Sequence, residues 1–305
     1  MNSMSTFGWI EQIAGAVIML LVLTDVFMTV LYARIGTGLL SDRIAAGAWK
    51  TFKTVSKLFA AQSGAALSFC GPTIVVLILF VWSFGLTLGA ALIIHPHLGR
   101  AIRANSGPTP HDFATAMYAA AGSISILGGS EFTPKTAPFR LLFVFNSLVG
   151  LSTISLTLTY LMQVYSALRE RNTLGLKFYL LSGETSDAAE LLAQLGSRGR
   201  FQPSSAIIAE LAAEMTRIKE SHHFYPVIFY FRFREPFYSI SKTTELAFET
   251  CTLIKSGLSD EKYDWLKNGA AVLALERSTL MLVKLLEDVS SLAELHSLVS
   301  CLTNR

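Results

Sequence analysis

Three long apolar segments dominate the pattern of hydrophobic and polar positions along the chain. They are Ile13–Ala33, Thr73–Ile94 and Leu141–Ala167. The second and third contain no charged residue, and the first contains only Asp25. A helix needs roughly 20 apolar residues to cross a hydrocarbon core about 30 Å thick. The pattern therefore predicts an all-α membrane protein with three transmembrane helices, the first of which is too long and too polar at its end to be a removable signal peptide.

A shorter apolar segment lies between the second and third predicted spans. Asp112–Thr136 contains a half-apolar helical stretch that is followed by the pair Gly128–Gly129. This helix is too short to cross the membrane, because a span takes roughly 17 to 25 residues. The layout predicts a re-entrant pore loop between two spans.

A fourth helical pattern, Ile44–Phe59, is amphipathic. Its apolar residues fall on one side, while Arg43, Lys50, Lys53 and Lys57 gather on the other. Such a helix is expected to lie in the membrane interface with its cations near anionic headgroups. An ordinary amphipathic helix packed on a cytoplasmic domain is the alternative.

Composition and the distribution of charge agree with a membrane protein. The 305 residues are 51% hydrophobic and 15% charged, and the mean hydropathy is +0.47. Cations outnumber acids in the segment after the first span, whereas the first dozen residues contain no lysine or arginine. The positive-inside rule then predicts an external N-terminus and a cytoplasmic C-terminal region. The net charge of +3 is too small to indicate nucleic acid, and Cys70, Cys251 and Cys301 form no disulfide or zinc pattern.

The third predicted span carries a polar stripe. Asn146, Gly150, Thr153 and Thr157 recur at helical spacing on one face. A polar face inside a membrane is expected to meet water or the polar groups of another helix. The stripe therefore predicts either the wall of an aqueous pore or interhelical hydrogen bonds between small residues.

Asp25 is the acid within the first predicted span. An ionisable residue inside the membrane indicates a functional group by default, such as a proton-sensitive one. Asp25 lies near the cytoplasmic end of its span, where it is expected to be hydrated or bonded to Thr29 one turn on. The residues leave both interpretations open.

The order of outer span, short helix, glycine loop, Thr133–Thr136 (TPKT) and inner span resembles the two-transmembrane pore module of the potassium channel superfamily. Phe113–Ala167 carries the resemblance, and Leu23–Leu31 (LTDVFMTVL) resembles a segment that precedes such modules in bacterial relatives. The resemblance implies a homotetramer in the bacterial inner membrane, with Gly150 at the position where inner helices of the family often bend during gating.

Alignment on TPKT places seven residues where the family has the filter sequence TTVGYGD. These are Ser125, Ile126, Leu127, Gly128, Gly129, Ser130 and Glu131. Only Gly128 is unchanged, Ile126 removes the hydroxyl ring, and Ser130 replaces a glycine whose backbone angles favour inward carbonyls. We therefore expect weak selectivity among monovalent cations such as K⁺ and Na⁺, with the Glu131 carboxylates favouring cations near the mouth.

The predicted organisation has four parts. Residues 1–35 form the N-terminal span, 36–65 the interfacial helix, 66–168 the pore module and 169–305 a cytoplasmic helical domain. Within the last part, periodicity predicts helices at Ser186–Leu195, Ser204–Glu220, Ser241–Ile254 and Asp260–Val289, with a possible fifth near the end. Pro226 and Pro236 bracket an aromatic, strand-like run that is expected to pack in the core of this domain.

No motif in the sequence indicates catalysis or a bound cofactor. The chain lacks a G-x-G-x-x-G fingerprint and a P-loop, and His222 and His223 have no clear partner cluster for a metal. We therefore expect a protein that is not an enzyme and that has copies of itself and membrane lipids as partners. The sequence predicts a cation pore that the cytoplasmic domain gates or assembles. A membrane sensor or scaffold that keeps the pore fold without conducting is the alternative.

Overall fold

The computed structural model describes residues 6–32, 38–58, 67–125 and 131–293, and these residues are mostly helical. The helices are α1 (Thr6–Val26), which continues as a π-helix (Phe27–Leu31), α2 (Ser41–Leu58), α3 (Cys70–Ile94), α4 (Phe113–Ile124), α5 (Ala137–Leu181), α6 (Ala188–Leu195), α7 (Ser205–Phe224), α8 (Ile240–Gly257), α9 (Asp260–Lys267) and α10 (Ala270–Ala293). Two short strands, β1 (Ile102–Ala104) and β2 (Phe132–Pro134), form an antiparallel pair.

Three of these helical stretches are long and apolar enough to cross a membrane. They are Thr6–Leu31, Cys70–His97 and Ala137–Leu181. The three-span prediction and the all-helical membrane class are thereby confirmed in outline. The amphipathic prediction near residues 44–59 corresponds to α2.

The chain divides into two compact units. The first unit is Met1–Ala45 with Ile74–Met162, and the second is Ala46–Thr73 with Gln163–Arg305. In the first unit, α1 and α3 approach each other at Gly15 and Gly89. A Cβ atom on Gly89 would lie 2.7 Å from the backbone oxygen of Gly15, so a larger residue does not fit without a shift. Small residues therefore allow these two apolar helices to pack closely.

The core of the first unit is built largely from small side chains. α4 contributes Ala116, Ala119 and Ala120, and α3 contributes Ala90 and Ala91. All five alanines are fully buried, so α3 and α4 contribute to this core through small side chains. The larger side chains that complete this cluster are Met19, Ile94, Leu98, Ile102 and Phe132.

The second unit contains the helical bundle that follows the third candidate span. α7 packs along α10, and α6 and α10 both pack on α8. The boundaries of three predicted helices agree with α6, α7 and α8 to within a few residues. The single helix predicted over Asp260–Val289 is wrong in one respect, because the chain breaks at Gly269 and forms α9 and α10 instead.

The strand-like run predicted between Pro226 and Pro236 is also wrong. The structure has short 3₁₀-helices at Pro226–Tyr230 and Pro236–Tyr238. The buried guanidinium of Arg171 donates hydrogen bonds to the carbonyl oxygens of Ile228 (3.1 Å) and Phe231 (3.2 Å). The Ile228 oxygen also accepts from the backbone N–H of Phe231 (3.1 Å), so these carbonyls are satisfied without a partner strand. The expected core packing does occur, because Ile228 and Phe231 are buried.

Candidate functional site

The short apolar helix α4 begins at a well-formed cap. Asp112 accepts hydrogen bonds from the backbone N–H of Thr115 (2.9 Å) and from its hydroxyl (2.7 Å). The hydroxyl and backbone hydrogen bonds from Thr115 lower the pKa of the Asp112 carboxyl below its usual value. α4 has 12 residues and is therefore about 18 Å long, well short of a hydrocarbon core of about 30 Å.

Strands β1 and β2 join the two ends of the segment that contains α4. Ile102 pairs with Pro134 and Ala104 pairs with Phe132. The backbone N–H of Asn105 donates to the Glu131 carbonyl oxygen at 2.7 Å, which extends the pairing toward the loop. The two ends of the segment that contains α4 therefore meet at this small sheet. The sequence pattern did not predict the sheet.

The C-terminal turn of α4 is held against α5 by hydrogen bonds. Asn146 Nδ2 donates to Ser123 Oγ (2.9 Å), and Ser147 Oγ donates to the Ser123 carbonyl oxygen (2.9 Å). Gly150 lies against the next carbonyl, that of Ile124, and a Cβ atom there would overlap it. The contact fixes the end of α4 that leads into the glycine loop. Sequence reasoning missed Ser123 and Ser147, because a single serine in an apolar helix gives no periodic signal.

The predicted polar stripe on α5 is turned toward the rest of the first unit. Asn146 is fully buried, Thr153 is 8% exposed and Thr157 is half-buried. This placement fits the interhelical interpretation of Asn146, whose Oδ1 atom is buried without a hydrogen-bond partner. The opposite face of α5 is apolar and exposed at Leu151, Ile154, Leu158 and Met162. Pore lining by Asn146, Thr153 and Thr157, and a bend at Gly150, stay predictions.

Of the seven predicted filter residues, the structure describes the first and the last. Ser125 ends α4, and its N–H donates to the Ala121 carbonyl oxygen at 2.9 Å. Glu131 is exposed at the start of β2, one residue before Phe132. Ile126, Leu127, Gly128, Gly129 and Ser130 lie outside the described residues. Their role as a filter stays a prediction.

Asp25 is the centre of a buried hydrogen-bond network that the sequence revealed only in part. Its carboxylate accepts from the backbone N–H groups of Leu40 (2.7 Å) and Ser41 (3.3 Å), from Ser41 Oγ (2.6 Å) and from Trp82 Nε1 (2.7 Å). The expected bond to Thr29 is replaced by one from Thr29 to Ser41 Oγ (3.2 Å). The Asp25 carboxylate thus joins α1, α3 and the N-terminus of α2, within the first unit.

The structure also describes the adjacent histidines that were considered for a metal. His222 is fully buried, and its Nδ1 lies 2.8 Å from the Ile218 carbonyl oxygen. Burial, with the positive charge of Arg171 nearby, lowers the pKa of His222 to about 3. Within the described ranges, no three side chains of the metal-binding types come together.

Comparison with known proteins gives one distant relative. The chain is 20% identical over 249 residues, 82% of this chain and 71% of the other, to the uncharacterized membrane protein YdjJ of Bacillus subtilis (strain 168). No family model matches the sequence, and no solved structure matches it. The relative and the three candidate spans together support a membrane location.

Proposed function

We propose that this protein is a homotetrameric, potassium-channel-like ion channel with a divergent filter and weak selectivity among cations. The proposal rests on one observation above the others. A 12-residue apolar helix lies between two candidate spans, in a segment whose ends are paired by β1 and β2. Because both ends of this segment meet at one place, the segment enters and leaves the membrane on the same side.

The need for several copies follows from the chemistry of the loop after α4. Polar backbone at membrane depth is tolerated only where it is buried in protein or lines water. The loop Ile126–Ser130 contains Gly128–Gly129 and comes from one re-entrant segment per chain. When several copies are arranged around an axis, the loops of neighbouring copies cover one another. The resemblance to the potassium channel superfamily implies four copies.

The direction of α4 favours cations at the loop. The C-terminus of a helix carries a partial negative charge of roughly half an elementary unit. Ser123 and Ile124 form that end of α4, and Asn146 and Ser147 hold it in place through Ser123. Glu131 adds an exposed carboxylate just beyond the loop. Four copies would point four such ends and four carboxylates toward one axis.

The charge distribution gives the orientation within this proposal. Within this proposal, the positive-inside rule predicts an external N-terminus and a cytoplasmic region from Arg169 onward. The helical bundle of α6 to α10 then gates the pore or helps to assemble it. The π-helix next to Asp25 is a local irregularity of a kind that is frequent at functional sites.

Reversal potentials in planar bilayers test this function directly. Purified protein is placed under opposed potassium and sodium gradients, with chloride varied separately. We expect a reversal potential near zero for the opposed cations and a strong preference for cations over chloride. Glu131→Gln should lower the cation conductance several-fold and raise the relative permeability of chloride, because it removes the carboxylate at the mouth.

A matched variant separates the role of Glu131 from a general effect of charge. Glu249 is exposed on α8, and Glu249→Gln makes the same change of charge far from the loop in sequence. It should leave the reversal potential and conductance unchanged. A potential at the potassium equilibrium value would refute weak selectivity. Absence of current from a folded tetramer would favour the non-conducting sensor instead.

A further inference from the structure

A cavity of about 440 Å³ opens in the second unit, beside the 3₁₀-helix Pro226–Tyr230. Its walls come from Ser68 and Pro72 at the start of α3, from α5 between Tyr165 and Leu176, and from the chain between Phe231 and Tyr238. Ligand sites in proteins commonly have volumes of about 300 to 1,000 Å³ and mostly apolar walls with a few polar groups. This cavity has that size and that character.

The charges around the cavity all have one sign. Among the described residues that line it, Arg169 and Arg232 are charged and none is acidic. None of the ion pairs between described residues includes either arginine, or Arg171 behind the wall. The Arg171 side chain is 4% exposed, and its guanidinium carbon lies 5.4 Å from the centre of the Phe233 ring, which faces the cavity.

Arg232 is held in position by an aromatic ring. Its guanidinium carbon lies 5.0 Å from the centre of the Trp49 ring, within the range of a cation–π contact. Arg232 is half-buried, and this burial lowers the pKa of its guanidinium. A half-buried guanidinium without a carboxylate partner is a ready site for an anion.

The rest of the wall specifies the remainder of the ligand. Leu168, Leu176 and Phe231 provide apolar surface. A ligand with an apolar body and a negative head would match this surface and the two arginines.

We propose that this cavity binds an amphiphilic anion whose phosphate or carboxylate head lies on Arg169 and Arg232 and whose apolar body lies on the aromatic and aliphatic wall. An anionic phospholipid and a soluble alkyl phosphate share this chemistry. Pro72 lines the cavity and lies in the first turn of a candidate membrane span. The cavity is therefore within reach of a lipid headgroup. The proposal does not depend on ion conduction.

Thermal unfolding of the full-length protein in neutral detergent tests the proposal, because a ligand that binds the folded state raises Tm. The probes are dioctanoylphosphatidylglycerol, dioctanoylphosphatidylcholine with the same chains and no net charge, octyl phosphate and inorganic phosphate. We expect phosphatidylglycerol to raise Tm by several degrees, octyl phosphate to act similarly, and the other two to have little effect. Amide hydrogen exchange should slow at residues 231–238.

Variants of the two arginines localise the effect. Arg169→Gln changes an exposed side chain, and we expect it to weaken binding of phosphatidylglycerol about tenfold; adding Arg232→Gln should abolish the shift in Tm. Replacing Arg232→Gln by Arg232→Lys in this double variant keeps the charge and should restore part of the shift in Tm. Arg200→Gln removes an exposed arginine elsewhere in the second unit and serves as the control.

Each outcome supports or overturns the site. A response to octyl phosphate without one to phosphatidylglycerol supports the anionic chemistry and assigns a soluble ligand. Equal responses to phosphatidylglycerol and phosphatidylcholine, or a wild-type response in Arg169→Gln, would overturn it. An equal response to inorganic phosphate would refute the apolar part of the ligand.

Discussion

At the scale of single residues, Asp25 shows how a charged group is accommodated within an apolar span. A buried carboxylate is costly unless hydrogen bonds replace its hydration. The four donors around Asp25 supply that replacement, and two of them are backbone N–H groups at the N-terminus of α2. An anion there also interacts favourably with the positive end of the helix dipole. The geometry favours the structural interpretation of Asp25.

Asp25→Asn is expected to lower the free energy of unfolding by about 2 to 4 kcal/mol. The asparagine side chain has one acceptor oxygen, and its NH₂ group would face N–H and O–H donors. Trp82→Phe removes one donor and should cost about 1 to 2 kcal/mol. Denaturant titration in detergent measures both, and Trp265→Phe, at a residue 44% exposed, is the control.

The variant that combines Asp25→Asn with Trp82→Phe, together with the pH response of Asp25→Asn, decides between the two interpretations of Asp25. If the bond between Asp25 and Trp82 contributes to stability, the combined loss is smaller than the two single losses added together. If Asp25→Asn leaves the free energy of unfolding unchanged but alters how the conductance depends on pH, Asp25 is a proton-sensitive group instead. The partners were not predictable, because Trp82 is 57 residues from Asp25 in the chain and no local pattern connects them.

At the scale of elements, the length of the apolar runs predicted the three long helices, and hydrophobic periodicity predicted the amphipathic one, because burial in lipid or protein follows those patterns. It did not predict β1 and β2, since three-residue strands are too short to show alternation. The stripe on α5 was also undecided by sequence, because a pore wall and a helix contact require the same spacing. The contacts of Asn146 with Ser123 and of Gly150 with Ile124 fit a helix contact, and pore lining stays a prediction.

Gly150→Ala is expected to lower the free energy of unfolding by about 1 to 3 kcal/mol, because the new methyl group would overlap the Ile124 carbonyl oxygen. Gly47→Ala is the matched control, since a Cβ at Gly47 in α2 has no neighbour within 4 Å. That change should be neutral or stabilising, because alanine has the higher helix propensity. Thermal unfolding in detergent measures both variants. Equal stability of wild type and Gly150→Ala would contradict the close contact.

At the scale of the whole molecule, the apolar surface of a single chain is the dominant fact. The third candidate span is mostly exposed, including Leu141 at 71% and Met162 at 74%. Contiguous apolar surface of this extent has to be covered by lipid tails or by protein. Lipid is enough for an apolar side chain, but it cannot satisfy the polar backbone of a loop at membrane depth.

Native mass spectrometry of the detergent-solubilised protein is therefore expected to show four chains of 33.3 kDa each. Removal of lipid should not dissociate the complex if the re-entrant segments cover one another, because lipid tails do not satisfy polar backbone groups. Co-expression of tagged and untagged chains should give all mixed species, whereas chains extracted separately and then mixed should give none, which excludes association in detergent after extraction. A stable, folded monomer would contradict both the tetramer and the re-entrant assignment of α4, since a single re-entrant segment does not complete a pore. A dimer would contradict the fourfold arrangement and leave the re-entrant segment to be explained by a two-loop assembly.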